Sequence, residues 1–271
     1  MPKIPAKIVV FDLDETLGHF GQLGLVWDSI IQCCDEYKCK RPLFKEVMQM
    51  FPEYQRPGVI RMLRYLLGKK HMGSCHKVMI YTNNQGPREW AEQLRRYFEE
   101  VIGERVFDRI IAAFKVDGVR VEPHRTSHDK SVDDLISCTK ISPDTQICFI
   151  DDQHHPRMEH ENVYYIRIKP YITTVPFLNI IHRLKQSQVL RHLKEDCMER
   201  LSDKIIRYSR IYPEDDIPKS EEELEVDKLV SKRVLQHIQE FFKMHDRRLT
   251  RRRRIKVQKR STRKSFSGSF K

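Results

Sequence analysis

The run Ile8-Val9-Val10-Phe11, ending in Asp12-Leu13-Asp14-Glu15-Thr16, constrains this chain more than any other stretch. Four β-prone apolar residues without alternation read as a strand buried on both faces, the pattern of a parallel sheet. The same grammar returns twice. Lys77-Val78-Met79-Ile80-Tyr81 runs into Thr82-Asn83-Asn84, and Gln146-Ile147-Cys148-Phe149-Ile150 runs into Asp151-Asp152. Open α/β sheets bind ligands beyond the carboxyl ends of their strands, where all three polar ends fall. In extended chain Asp12 and Asp14 share one side and Leu13 takes the other. Carboxylates crowded in this way repel unless a cation, a proton or hydrogen bonds compensate. A hard divalent cation with oxygen ligands is the natural compensation, and beside phosphate it is usually Mg²⁺. The bland alternative is a strand end whose Asp and Thr only cap turns.

The segments between these strands have helical spacing. Leu25, Trp27, Ile30, Ile31 and Cys34 share a face, as do Trp90, Leu94, Tyr97 and Phe98 within 88–101. Arg56-Pro57-Gly58-Val59 reads as a helix start with Pro57 in its tolerated first turn, ahead of Ile60, Leu63, Leu66 and Leu67. Arg109 to Phe114 and Val163 to Ile168 read as further strands, and Asp117-Gly118 as a hairpin turn. Lys130 opens a helix ahead of Val132 and Leu135, where its charge could neutralise a nucleophile and a phosphoryl group. Helix is expected over most of 176–209, then a linker at Tyr212–Pro218. An amphipathic helix follows from Ser220 to Lys243, with Ser220 and Glu223 placed as a capping box. That last helix either packs on the domain or binds a partner.

Asp12-Leu13-Asp14-Glu15-Thr16-Leu17 resembles the DxDxT signature of the haloacid dehalogenase superfamily, in the form used by its NLI-interacting-factor-like branch. That branch includes the small phosphatases acting on the RNA polymerase C-terminal domain. Arg56-Pro57-Gly58, Thr82, Lys130 and Asp151-Asp152 follow in the family's order. The resemblance implies an α/β fold, a Rossmann-like parallel sheet with helices on both faces and no large cap, over residues 1–170. A helical extension over 171–246 and a basic tail over 247–271 would complete the chain.

It also implies roles. Asp12 would be the nucleophile, and Asp14 the general acid and base. Thr82 and Lys130 would hold the phosphoryl oxygens, with Asn83 and Arg125 as further substrate contacts. Mg²⁺ would sit on Asp12, Asp152 and the main-chain carbonyl of Asp14, supported by Asp151. The family often has Asp-Asn-Ser-Pro where this chain has Asp151-Asp152-Gln153-His154-His155-Pro156, a departure that keeps an oxygen ligand at 152. His154, His155 and His160 read as rim residues, because hard Mg²⁺ prefers oxygen.

The implied substrate is phosphoserine or phosphothreonine in a protein. Thr82-Asn83-Asn84-Gln85 is similar to the Thr-Asn-Gln stretch of polynucleotide 3′-phosphatases, which leaves nucleic-acid ends as a second substrate class. A scaffold or nucleic-acid-binding protein keeping an idle phosphatase fold is the third reading. The whole pattern, with its basic C-terminus, also looks like versions carried by large DNA viruses, for which viral or host transcription would be the setting.

Charge needs locating before it means anything. The formal net charge is +12, but residues 247–271 hold twelve Lys or Arg and no acid, leaving 38 basic residues against 38 acidic ones in the rest. The basic excess is therefore a tail, suited to nuclear import, nucleic-acid phosphates or an acidic partner. Seven scattered cysteines make a disulfide framework improbable and fit a reducing compartment. Cys33, Cys34, Cys39 and Cys75-His76 lack the paired spacing of a zinc site. No apolar run reaches the ~18 residues of a membrane span, and no signal-peptide pattern opens the chain. The expected setting is intracellular, nuclear or cytoplasmic, with no membrane partner.

Overall fold

β1 (Lys7–Phe11), β2 (Lys77–Tyr81) and β6 (Gln146–Asp151) are the three apolar runs, and they lie side by side. With β3 (Arg109–Ile111) and β7 (Val163–Arg167) they form a parallel sheet in the order β3-β2-β1-β6-β7. This is a computed structural model that describes residues 5–212 and 219–244. After β1 the chain builds outward through β2 and β3, then crosses back to lay β6 on the other side of β1. The order of construction reverses between β1 and β6, and a crevice at the carboxyl end of such a switch point is where ligands bind. Register sets Phe11 opposite both Ile80 and Ile150. Asp12, Thr82 and Asp151 therefore leave the sheet at nearly one level.

Both faces of the sheet are covered. Val9, Phe11, Val78, Ile80, Cys148 and Ile150 face one core. Ile8, Val10, Met79, Tyr81, Ile147 and Phe149 face a second, smaller one, closed by α5 (Val132–Thr139). The larger core takes α1 (Gly21–Glu36), α2 (Phe44–Met50), α3 (Val59–His71) and α4 (Arg88–Ile102). It does not stop at residue 170. Phe177, Ile180 and Leu184 of α6 (Phe177–Gln186), Cys197, Leu201 and Ile205 of α7 (Glu195–Ile211), and Val234, Ile238 and Phe241 of α8 (Glu221–Lys243) belong to the same apolar cluster. The helical extension is thus part of the core that supports the sheet.

Local details differ from the expected boundaries for physical reasons. Pro57 is outside α3, because Gly58 caps that helix at φ +77°, a left-handed conformation suited to glycine. β3 ends at Ile111 rather than Phe114, since the carbonyl of Ala112 is taken by the Arg125 guanidinium at 2.9 Å. The Asp117-Gly118 turn does join a hairpin, β4 (Lys115–Val116) and β5 (Val119–Arg120), separate from the main sheet. The capping box is present: Ser220 Oγ accepts the Glu223 N–H and Glu223 accepts the Ser220 N–H. Residues 247–271 lie outside the described residues, and so does most of the linker. All seven cysteines are free thiols. Among the described residues no helix is long and apolar enough to cross a membrane.

Candidate active site

Three strand ends and one helix start converge on a cleft of ~170 Å³ lined by Asp12, Asp14, Thr82, Asn83, Lys130 and Asp151, among others. Asp12 follows β1 directly, and its N–H still continues the sheet by donating to Ile150 O at 2.9 Å. Leu13 is fully buried in the core, while Asp14 and Glu15 turn toward the cleft. The chain then returns, Leu17 N–H donating to Leu13 O at 2.9 Å. Gly18 closes this loop against Tyr54, where a β-carbon would stand 2.4 Å from the Tyr54 carbonyl oxygen. Only glycine fits at that approach.

Lys130 stands immediately before Ser131, whose side chain caps α5 by accepting the Asp134 N–H. Its ammonium is buried, 2% exposed, and donates to Asp12 Oδ1 at 2.5 Å and to Asp151 Oδ2 at 2.7 Å. Burial opposes the ammonium charge, but Asp12 and Asp151 together overcome it and hold its pKa above the ordinary lysine value. Asp151 also meets His155 Nε2 at 3.3 Å and accepts the Gln153 N–H on Oδ1 at 2.9 Å. Burial alone would push Asp151 up; the bond to His155 and the Lys130 charge keep it low. It stays ionised at neutral pH.

In the other carboxylates burial outweighs such partners. Burial raises Asp12 to about 7 despite Lys130, and raises Asp14 and Asp152 as well. Glu15 is raised to about 7 by burial and by the charges of Asp14, Asp152 and Asp12. Such a concentration of acid is what a cation relieves. Asp12, Asp151 and Asp152 each offer one oxygen, all within 4.8 Å of one another, so together they could hold a metal ion. No other group of three or more such side chains occurs among the described residues. Both oxygens of Asp151 already have donors, Lys130 on Oδ2 and the Gln153 N–H on Oδ1. The Asp14 carboxylate stands outside this cluster, and only its main-chain carbonyl remains to serve as the expected ligand.

Thr82 and Asn83 line the cleft as the sequence suggests. Thr82 is buried, its Oγ1 accepting the Asn84 N–H at 3.0 Å. Asn83 Oδ1 is buried without a hydrogen-bond partner among the described residues, an orphan polar atom in the cleft wall. Arg125 is corrected. It does not line the cleft but lies behind it, fully buried over the Tyr81 ring at 4.9 Å. Its guanidinium donates to the carbonyls of Thr82 (3.1 Å), Ala112 (2.9 Å) and His128 (2.9 Å), bracing the loop after β2 from behind the cleft.

Of the four lining residues that the sequence did not single out (Glu15, Asn84, Gln153 and His155), two reach the acids of the cleft through their side chains. Asn84, for which the sequence left a turn role and a site role open, donates from Nδ2 to Asp14 Oδ2 at 2.7 Å and accepts the Gly86 N–H on Oδ1 at 2.8 Å. His155, taken with His154 and His160 as rim, is only 7% exposed and reaches Asp151, whereas His154 and His160 are exposed. The one signal for His155 was its place four residues after Asp151. Arg56 is a third residue whose use the sequence left open. It meets no anion in the cleft; its guanidinium donates to the carbonyls of Thr16, Glu15 and Lys169.

Comparison of the chain with models of protein families, with curated proteins and with solved structures returns no significant match. What the site is must therefore be argued from its own residues: a buried lysine–carboxylate group beside a second carboxylate, at the switch point of a parallel sheet.

Proposed function

We propose that the protein is a Mg²⁺-dependent phosphomonoester hydrolase of the haloacid dehalogenase type, working through an aspartyl-phosphate on Asp12 and acting on phosphoserine or phosphothreonine in proteins. The observation that carries this reading is a pair of carboxylates with different partners in one cleft. Asp12 accepts from the Lys130 ammonium and Asp14 from the Asn84 amide, and burial raises both. A nucleophile aimed by a cation and a separate carboxyl able to carry a proton are what displacement of an alcohol from phosphorus requires.

An Asp12 carboxylate oxygen attacks phosphorus as the ester P–O bond breaks, and the departing alkoxide takes the proton of Asp14. In the second step water attacks the phosphorus of the aspartyl-phosphate and yields a proton to Asp14. Inorganic phosphate leaves, and Asp12 returns as a carboxylate. Lys130 keeps the Asp12 carboxylate aimed in both steps and balances charge on the phosphoryl oxygens. Thr82 and the amide of Asn83 offer hydrogen bonds to those oxygens from the opposite wall. Mg²⁺ held by Asp12, Asp152 and the Asp14 carbonyl would offset the negative charge between nucleophile and phosphate.

The Thr82-Asn83-Asn84 stretch lines the cleft, which keeps polynucleotide 3′-ends as the second substrate class. The test is phosphate release with Mg²⁺ from a phosphoserine peptide and from a 3′-phosphorylated oligonucleotide, by wild type and Asp12→Asn. Release from the peptide that is lost in Asp12→Asn is the expected result. Release from the oligonucleotide alone moves the assignment to nucleic-acid ends, and release that survives Asp12→Asn removes Asp12 as nucleophile.

A further inference from the structure

Four of the seven cysteines gather away from the cleft, where the end of α1 packs on the start of α7. Cys33 and Cys34 are buried in the last turn of α1, and Cys197 is buried in the first turn of α7. Cys39 is half-buried in the loop that follows α1. Its sulfur stands 3.9 Å from that of Cys197. Each of these two thiols also has a carbonyl of α1 to donate to, Cys39 that of Cys34 at 3.7 Å and Cys197 that of Cys33 at 3.9 Å.

Backbone and side chains impose this approach from both sides. The Cys39 N–H donates to Cys34 O at 2.9 Å, which turns the chain back on α1 with Lys38 at φ +52°. His192, ahead of α7, donates from Nε2 to Lys40 O at 2.8 Å, and Lys204 of α7 stands 3.7 Å from the Glu36 carboxylate. The sulfurs are not arranged as metal ligands are. Among the described residues, no three cysteine, histidine or acidic side chains here offer ligand atoms within 4.8 Å of one another. A soft metal ion would need such a set. A disulfide is about 2 Å long, so the two sulfurs have roughly half of their separation to close. Rotation of the loop cysteine toward the helical one supplies that movement.

We propose that Cys39 and Cys197 are a reversible thiol–disulfide pair, which a small disulfide of the class of oxidised glutathione converts into a covalent bond between α7 and the loop after α1. Cys39 reacts first, since it alone of the four is not buried, whereas burial raises the Cys197 thiol to about 12. The Cys39 thiolate attacks one sulfur of the small disulfide and breaks its S–S bond. One small thiol leaves with the proton that Cys39 gave up. The Cys197 sulfur then attacks the Cys39 sulfur of the mixed disulfide, and the second small thiol leaves with the Cys197 proton. Two protein thiols have lost two electrons and two protons, and the small disulfide has taken both. In a reducing compartment the pair rests as the two thiols seen here, and the bond forms when the surrounding thiol pool becomes oxidised. It joins residues 158 apart in sequence and so fastens the helical extension to the body that carries β1.

The test holds the full folded chain in reduced or oxidised glutathione, caps free thiols with an alkylating agent, and digests with trypsin without reduction. Trypsin separates the candidates: Cys39 falls in Cys39-Lys40, Cys197 in Glu195–Arg200, and Cys33 with Cys34 in 8–38. The expected product in the oxidised buffer is Cys39-Lys40 bonded to Glu195–Arg200, absent in the reduced buffer and in Cys39→Ser. In Cys197→Ala, Cys39 should instead retain one glutathione. Full alkylation of the wild type in the oxidised buffer, glutathione retained on its Cys39, or a bond from Cys39 to peptide 8–38 overturns the proposal. If Cys197→Ala does not fold, the wild-type peptide map and Cys39→Ser decide. The oxidised wild type should melt ~5 °C above the reduced form, with no such difference in Cys39→Ser. An equal or lower melting temperature on oxidation would mean that the bond forms only by distorting the fold, and overturns the native pairing.

Discussion

Asn84 exemplifies how one residue tunes another in this cleft. Its Nδ2 bond to Asp14 at 2.7 Å favours the ionised carboxylate, while burial favours the protonated one. In the proposed reaction the two together would let Asp14 give and regain a proton, with its orientation set by the amide. Asn84→Ala should therefore lower the turnover number on the order of 10-fold with little change in KM. Steady-state kinetics on the phosphopeptide reads this directly, and a rise in KM alone would place Asn84 on the substrate rather than on Asp14. Arg125 carries the opposite lesson. Its charge suggested a phosphate contact, yet it is fully buried outside the cleft lining and donates to three main-chain carbonyls.

At the scale of elements, the loops matter as much as the strands. α3 begins at Gly58 because the chain must turn Arg56 inward before the helix can start, and φ +77° makes that turn. Gly58→Ala should cost about 1–2 kcal/mol through the left-handed conformation alone, since a β-carbon would meet only an ordinary contact there. Chemical denaturation at unchanged m-value is the measurement. The strands and most helices were legible in the sequence because apolar runs and helical spacing are local. The face expected at Leu25, Trp27, Ile30, Ile31 and Cys34 is shifted in α1. Leu23, Val26 and Cys33 are buried with Trp27, Ile30 and Cys34 while Leu25 and Ile31 are only half-buried, because the helix packs between the sheet and the C-terminal helices. That partner surface comes from the far end of the chain and leaves no local mark.

For the molecule as a whole, the site and the core make separate predictions. Truncation after residue 170 should not yield a cooperatively folding chain, since α6, α7 and α8 close the same apolar cluster that supports β1 and β6. Circular dichroism melting of the truncated protein tests this; a sharp transition would mean that the sheet stands alone. The carboxylate cluster sets a pH dependence. Asp12 rises from an ordinary 3.8 to about 7 on folding. The resulting stabilisation is fully present below about pH 4 and is lost as pH rises through about 7. A divalent cation held by Asp12, Asp151 and Asp152 would replace the proton, so if Mg²⁺ is that cation, as proposed, it should raise Tm more at pH 8 than at pH 5. The gain at saturating metal should be roughly 5 °C, and Asp12→Asn should remove most of it. Equal shifts at both pH values would separate metal binding from these acids.

The sequence by itself determined the strand grammar and its consequence: apolar runs ending in acids, hydroxyls and amides make a parallel sheet with polar groups at one edge. Asp12, Asp14, Thr82, Lys130, Asp151 and Asp152 were readable because each stands at the end of a strand or the start of a helix, where position in the chain fixes position in the fold. Tertiary structure alone decided what each group touches. It placed Arg125 behind the cleft, brought His155 and Asn84 into it, and set the Arg56 guanidinium on the carbonyls of Glu15, Thr16 and Lys169. Those assignments depend on burial and on long-range partners. The energy of a charge is set by the groups that surround it in space, and a linear pattern does not contain them.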